Sequence, residues 1–108
     1  MKEIKAIIQP FMLEKVLDAL HQLPGTPGCI VSRVEAHGKA PADAAHSVTE
    51  MTEKVKLELV VTDDQVERVV DLIQRHAHTG NKGDGKVFVV QCVSAVAIRT
   101  GERGDKAL

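Results

Sequence analysis

Lys54-Val55-Lys56-Leu57-Glu58-Leu59-Val60-Val61-Thr62-Asp63-Asp64-Gln65 decides the fold. In its first eight residues Val55, Leu57, Leu59 and Val61 alternate with Lys54, Lys56 and Glu58. That period of two predicts a strand with one buried face. The last four residues change the period. Thr62 offers a hydroxyl at a helix start, and Gln65 follows at the spacing of a capping box. Asp63 and Asp64 suit the positive end of a helix dipole. Val66, Val69, Val70, Ile73 and Ala77 then recur at helical spacing and form one apolar stripe. The stretch reads as a strand running directly into an amphipathic helix.

The same grammar occurs earlier in the chain. Ile4, Ala6 and Ile8 alternate with Lys5 and Ile7, which predicts a first strand over residues 3–8. Gln9-Pro10 opens a helix, because proline is tolerated in a first turn. Leu13, Val16, Leu17, Leu20 and Leu23 give its stripe, and Pro24-Gly25-Thr26-Pro27-Gly28 ends it. Cys29 to Val34 reads as a second strand. Gly38 to Thr52 has no period and contains Pro41, Asp43, His46 and Ser47, so it reads as a flexible loop of about residues 38–53.

Downstream of the second helix lies Thr79-Gly80-Asn81-Lys82-Gly83-Asp84-Gly85-Lys86. A strand over Lys86 to Cys92 follows, and Ala95 to Ile98 reads as a short further strand. Arg99 to Leu108 reads as a polar tail. The order strand-helix-strand, given twice, predicts an α+β, ferredoxin-like βαββαβ sandwich in a single domain over residues 1–108. Strands two to four carry apolar residues on both faces, as with Val60 between Leu59 and Val61. A lone sheet would expose that second face, so self-association is expected.

The glycines of Thr79–Lys86 allow positive φ and close approach of another molecule. Such a turn can offer a row of amide N–H groups to an anion. Lys82 and Lys86 add positive charge, and Asp84 adds an acceptor for a hydroxyl or amine. The plain alternative is a solvated helix-to-strand connection. The stretch is not a Walker A loop, because it opens a strand and a P-loop opens a helix.

Composition removes several classes. The 108 residues carry 14 basic and 15 acidic side chains, a net charge of −1, so no polyelectrolyte partner is implied. No apolar run is long enough to span a membrane. Met1-Lys2-Glu3-Ile4 does not read as a signal peptide, so a cytoplasmic location is expected. Cys29 and Cys92 lie in apolar runs and read as small buried hydrophobes, without a disulfide. Tyr and Trp are absent, which argues against stacking of nucleic-acid bases. His76 and His78 are two residues apart, unlike the i, i+4 spacing of a helical metal site. His37 and His46 would meet only if the loop folded back, so no metal is expected. No nucleophile has a positioned base, and no carboxylate pair stands out, so no enzyme is expected. Gln9-Pro10-Phe11 lacks the arginine that an acylphosphatase would need there.

Four motifs in order resemble the PII signal-transduction family. They are Lys5 to Phe11, Lys54 to Val61, Thr79-Gly80 with Gly83 to Phe88, and Arg99-Thr100-Gly101-Glu102. The resemblance covers nearly the whole chain. It implies a homotrimer with sheets packed inward, adenine nucleotide in clefts between subunits, and regulation of a target protein through a long loop. Residue by residue, Thr79, Gly83, Asp84, Gly85 and Lys86 match the nucleotide loop. Arg99 matches a basic residue that reaches phosphates from the neighbouring subunit. Ile7 and Glu58 match positions near adenine and ribose. Gly38 matches the glycine at the loop base, followed by Lys39. Lys54 matches a lysine that helps to hold 2-oxoglutarate; on its spacing alone it reads as an exposed strand charge.

The departures shape the expected ligand. Ala97, Lys39 and Ala40 stand where the family carries arginine, arginine and glutamine. The loop is shorter than usual and has no tyrosine to modify. The expected ligands are ADP or AMP over ATP. Bicarbonate is the candidate second effector at Gly38, Lys39 and Lys54. The expected target is a transporter or metabolic enzyme. One alternative is a conventional nitrogen regulator sensing ATP and 2-oxoglutarate. Another is a metal-responsive or amino-acid-binding domain of the same topology.

Overall fold

The computed structural model describes residues 1–39 and 49–108. β1 (Lys2–Ile8) leads through a 3-10 turn (Pro10–Met12) into α1 (Leu13–Gln22). β2 (Ile30–Lys39) and β3 (Thr49–Val61) follow. A second 3-10 turn (Asp63–Gln65) opens α2 (Val66–Ala77), which precedes β4 (Gly85–Gln91). The strands form one antiparallel sheet in the order β2-β3-β1-β4, the ferredoxin-like α+β arrangement expected from the sequence.

Alternation decides which face is buried. Ile4, Ala6 and Ile8 of β1 stand opposite Leu59, Leu57 and Val55 of β3, and all six are buried. Val16 and Leu20 of α1 and Val69, Leu72, Ile73 and Ala77 of α2 cover them. Each fully buried Val, Leu or Ile contributes roughly 1.5–3 kcal/mol, so this single layer carries the fold. Leu72 joins the core although the sequence stripe omitted it, because it follows Val69 by three residues and shares that helix face.

The strand-to-helix junction forms as read. The Thr62 N–H and hydroxyl both donate to Gln65 Oε1, at 3.3 and 3.1 Å, within a capping box. Gln65 Nε2 also donates to the Gly25 carbonyl at 2.9 Å. One side chain therefore caps α2 and ties down the turn after α1.

The structure revises four expectations. The first helix begins as a 3-10 turn, and α1 proper starts at Leu13. The stretch read as a loop over 38–53 is strand at both ends, since β2 pairs with β3 as far as Lys39 opposite Thr49. The readings placed on Ala40, Pro41, Asp43, His46 and Ser47 lie outside the described residues. The short fifth strand over Ala95–Ile98 reduces to a bridge between Val96 and Arg103. There the chain folds back on itself: the Ala97 N–H donates to the Glu102 carbonyl at 2.9 Å, and the Gly101 N–H to the Ala97 carbonyl at 2.7 Å. Cys29 and Cys92 are half-buried, not core residues. Cys29 packs at the margin of the core, and its partial burial raises its thiol pKa.

The second sheet face is mixed. Its centre carries ion pairs along the strands, Lys5–Glu3 at 3.3 Å and Lys56–Glu58 at 3.1 Å. Its flanks carry Ile30 on β2 and Phe88 and Val90 on β4, all exposed. Val93 and Ile98 beyond β4 are almost wholly exposed. Among the described residues, no helix is long and apolar enough to cross a membrane.

Candidate functional site

α2 stops at Ala77, and His78 is already extended. The chain must then turn back to enter β4 against β1. Gly80, Gly83 and Gly85 make that turn at φ of 89°, 93° and 101°. Gly85 has a second constraint: a Cβ there would lie 1.7 Å from the Ile7 carbonyl oxygen. Only glycine lets β4 pair with β1 while the loop leaves at this angle.

Asp84 holds the loop closed. Its carboxylate accepts the Thr79 N–H at 2.8 Å, the Gly80 N–H at 2.9 Å and the Thr79 hydroxyl. The Thr79 oxygen in turn accepts the Asn81 N–H at 3.2 Å. On sequence Asp84 offers its acceptors to a ligand; in the structure it spends them on the loop itself. Among the described residues, the N–H groups of Lys82, Gly83 and Asp84 have no protein acceptor. These donors are left for an anion, in a loop that also carries Lys82 and Lys86.

Donation from the Thr79 hydroxyl, then from its amide, holds the Asp84 carboxyl below the usual carboxylate range. Desolvation opposes this, and the Gly80 amide and nearby His78, at 3.9 Å, add to it. A depressed folded-state pKa stabilises the loop above the unfolded value of about 4 and loses that effect as pH falls through the folded value. The Thr79 and Gly80 amides should therefore stay protected from exchange near neutral pH and lose protection only below about pH 4. An NMR pH titration checks this, and Asp84→Asn should remove much of that protection at neutral pH.

Lys54 also departs from its sequence reading. Its spacing marks it as an exposed strand charge, yet it is 8% exposed. Its Nζ donates to the Gly83 carbonyl at 2.6 Å. A Cβ at Gly83 would come within 3.2 Å of Gln9 Nε2 and 3.3 Å of Lys54 Nζ. The loop thus rests on side chains from β3 and from the end of β1.

Beside it lies a cleft of about 390 Å³. Ile7, Ile8, Val70, Ile73, Ala77 and Val87 supply apolar lining, and Gln74, His78, Asp84 and Lys86 supply polar lining. Of the expected site residues, the structure gathers Ile7, Lys54, Thr79, Gly83, Asp84, Gly85 and Lys86. Ile7 is there because it pairs directly with Lys86 across β1 and β4. Glu58 lies on the second sheet face, paired with Lys56. Arg99 is exposed in the C-terminal turn and does not line the cleft. Gly38 and Lys39 lie at the far end of β2, opposite Glu50 and Thr49. Gln9, Val70, Gln74 and His78 were missed. His78 had a local signal as the residue after a helix; the others arrive through pairing and packing. Among the described residues, no three metal-ligating side chains converge.

The family profile described as Nitrogen regulatory protein P-II matches residues 1–102. The chain is 43% identical to the nitrogen regulatory protein P-II of Rhodospirillum rubrum, over the full length of both. It is 42% identical, again over both full lengths, to the P-II protein of Azospirillum brasilense and to nitrogen regulatory protein P-II 1 of Escherichia coli K12. Each alignment spans 113 positions against 108 residues here, so the relatives carry residues that this chain lacks. The strand-into-helix motif, the glycine loop and the antiparallel sheet agree with this match. The chain belongs to the nitrogen regulatory protein P-II family.

Proposed function

We propose that this P-II regulatory protein binds an adenine nucleotide at the Thr79–Lys86 loop and controls a partner protein through the segment joining β2 and β3. The observation that carries the reading is the loop's preparation. Asp84 is spent on holding it, Lys54 supports it from below, and three amides and two lysines remain for phosphate. Charge-assisted hydrogen bonds to phosphate are the strong kind.

The assembly is a homotrimer. Ile30, Phe88, Val90, Val93 and Ile98 are large apolar side chains left in the open by one chain. Packing sheets inward covers them. It also accounts for the distance of Glu58 and Arg99 from the cleft, because a neighbouring copy supplies them across the interface. Light scattering at micromolar concentration should give about three chain masses, and a stable monomer would remove the support for shared sites.

ADP or AMP is preferred over ATP with magnesium. Ala97 lacks a guanidinium fork, and Lys39 keeps charge without the planar geometry. Ala40 lacks the side-chain carbonyl that would complete a metal shell. These losses fall on the outer phosphates, while the Gly83–Lys86 loop is intact. The second effector is a small anion such as bicarbonate, near Gly38, Lys39 and Lys54. The partner is a transporter or a metabolic enzyme, and the protein itself performs no catalysis.

Calorimetry with ADP, AMP and ATP–magnesium, each with and without bicarbonate or 2-oxoglutarate, tests these preferences. ADP or AMP should bind at least as tightly as ATP–magnesium. Tight ATP–magnesium binding that strengthens with 2-oxoglutarate would return the protein to the conventional nitrogen-sensing pattern.

A further inference from the structure

Among the described residues, Lys54 is a buried lysine with no carboxylate beside it. It is more than nine-tenths buried, and its one described hydrogen-bond partner is the Gly83 carbonyl at 2.6 Å. Burying an ammonium is costly unless its surroundings compensate, and one neutral carbonyl compensates only in part. The partner it has taken belongs to the loop that offers its amides to an anion.

The packing around this bond is specific. Gly83 sits at φ 93°, and added volume there would press on both Lys54 Nζ and Gln9 Nε2. The peptide that contains the Gly83 carbonyl also carries the Asp84 N–H, one of the free donors. Carbonyl and N–H of one peptide point in opposite directions, because the peptide is planar and trans. Holding the Gly83 carbonyl toward Lys54 therefore fixes the Asp84 N–H on the opposite side. Release of the carbonyl frees that peptide to rotate, and a glycine backbone resists rotation little.

We infer that Lys54 is a positioning residue of the phosphate loop: through the Gly83 carbonyl it fixes the direction of the Asp84 amide, and its buried charge biases the loop toward an anion. This rests on the nucleotide reading above and departs from the sequence expectation that Lys54 serves a second effector. Its ammonium is already engaged by the loop. Its bond joins β3, the strand that leaves the segment after β2, to a loop 29 residues further along the chain.

Lys54→Met keeps the apolar stem and removes the charge and the donor. ADP and adenosine are titrated into wild type and variant, in buffer free of bicarbonate and 2-oxoglutarate. Amide exchange of Thr79, Gly80 and Asn81, whose N–H groups are bonded inside the loop, is measured without nucleotide. The expected result is a loss of about tenfold or more in ADP affinity, the scale of one hydrogen bond to a charged group. Adenosine affinity should change far less, so the ADP-over-adenosine preference falls; general loosening of the fold would lower both together. Exchange of the loop amides should also accelerate in the variant. Unchanged ADP affinity in Lys54→Met would overturn the inference. If wild type bound no adenine nucleotide, the nucleotide reading would fail. The exchange arm then decides alone: unaltered loop protection in Lys54→Met would overturn the positioning role, and faster exchange would uphold it.

Discussion

Gly85→Ala should lose about 2–4 kcal/mol of stability and abolish nucleotide binding. The loss begins in the backbone. Holding a non-glycine residue in a sparsely populated region of positive φ costs about 1–3 kcal/mol, and Gly85 sits at 101°. The clash adds to this. The new Cβ would meet the Ile7 carbonyl oxygen at 1.7 Å, and that oxygen is backbone, so it cannot swing aside like a flexible side chain. β1 and β4 must separate at the Ile8–Gly85 pair, or the loop must leave at another angle. Either change moves Lys86 and the free amides that precede it. Chemical denaturation measures the first effect and calorimetry with ADP the second. A variant with wild-type stability and affinity would show that the loop tolerates another path, and the close approach would lose its meaning. Gly38, by contrast, has open space where a Cβ would lie, so alanine there should be accepted far more easily.

Lys86→Ala should weaken ADP binding by roughly 1.5–3 kcal/mol, the range for a hydrogen bond to a charged group. That is on the order of tenfold to a hundredfold in affinity. Stability should change little, because Lys86 is exposed and has no described side-chain partner. This separation distinguishes it from Gly85→Ala. Calorimetry showing unchanged ADP affinity in Lys86→Ala would remove Lys86 from the site.

The two variants also mark where the sequence was sufficient and where it was not. β3 and the start of α2 were legible because their signals are local: alternation over eight residues, then a hydroxyl and an amide at capping distance. The glycine loop was legible as a loop for the same reason. The length of β2 was not. Glu35, Ala36, His37 and Gly38 have weak strand preference, and they extend only because residues 50–53 pair opposite them. The fifth strand failed for the converse reason. Val96 and Ile98 have strand preference, but the described chain offers only the Val96–Arg103 bridge.

The site divided in the same way. Gly83, Gly85 and Lys86 could be read from composition, order and resemblance. The roles of Asp84 and Lys54 could not. A carboxylate in a glycine loop serves a ligand or its own turn equally well, and only the bonds from Thr79 and Gly80 decide between them. A lysine alternating with Val55 reads as a solvated charge until the Gly83 carbonyl is found 2.6 Å from it. Partners distant in sequence set the role of Lys54, and hydrogen-bond geometry sets that of Asp84. Glu58 and Arg99 stay apart from the cleft within one chain, so its geometry does not by itself assign them the role that the resemblance implies.

The central claim is that the open amides of the Thr79–Lys86 loop receive phosphate. An amide NMR titration of the isotope-labelled protein with ADP tests it most directly. The amide signals of Lys82, Gly83 and Asp84 should shift most, with adenosine shifting them far less. ADP binding that leaves these three signals in place and moves others would contradict it.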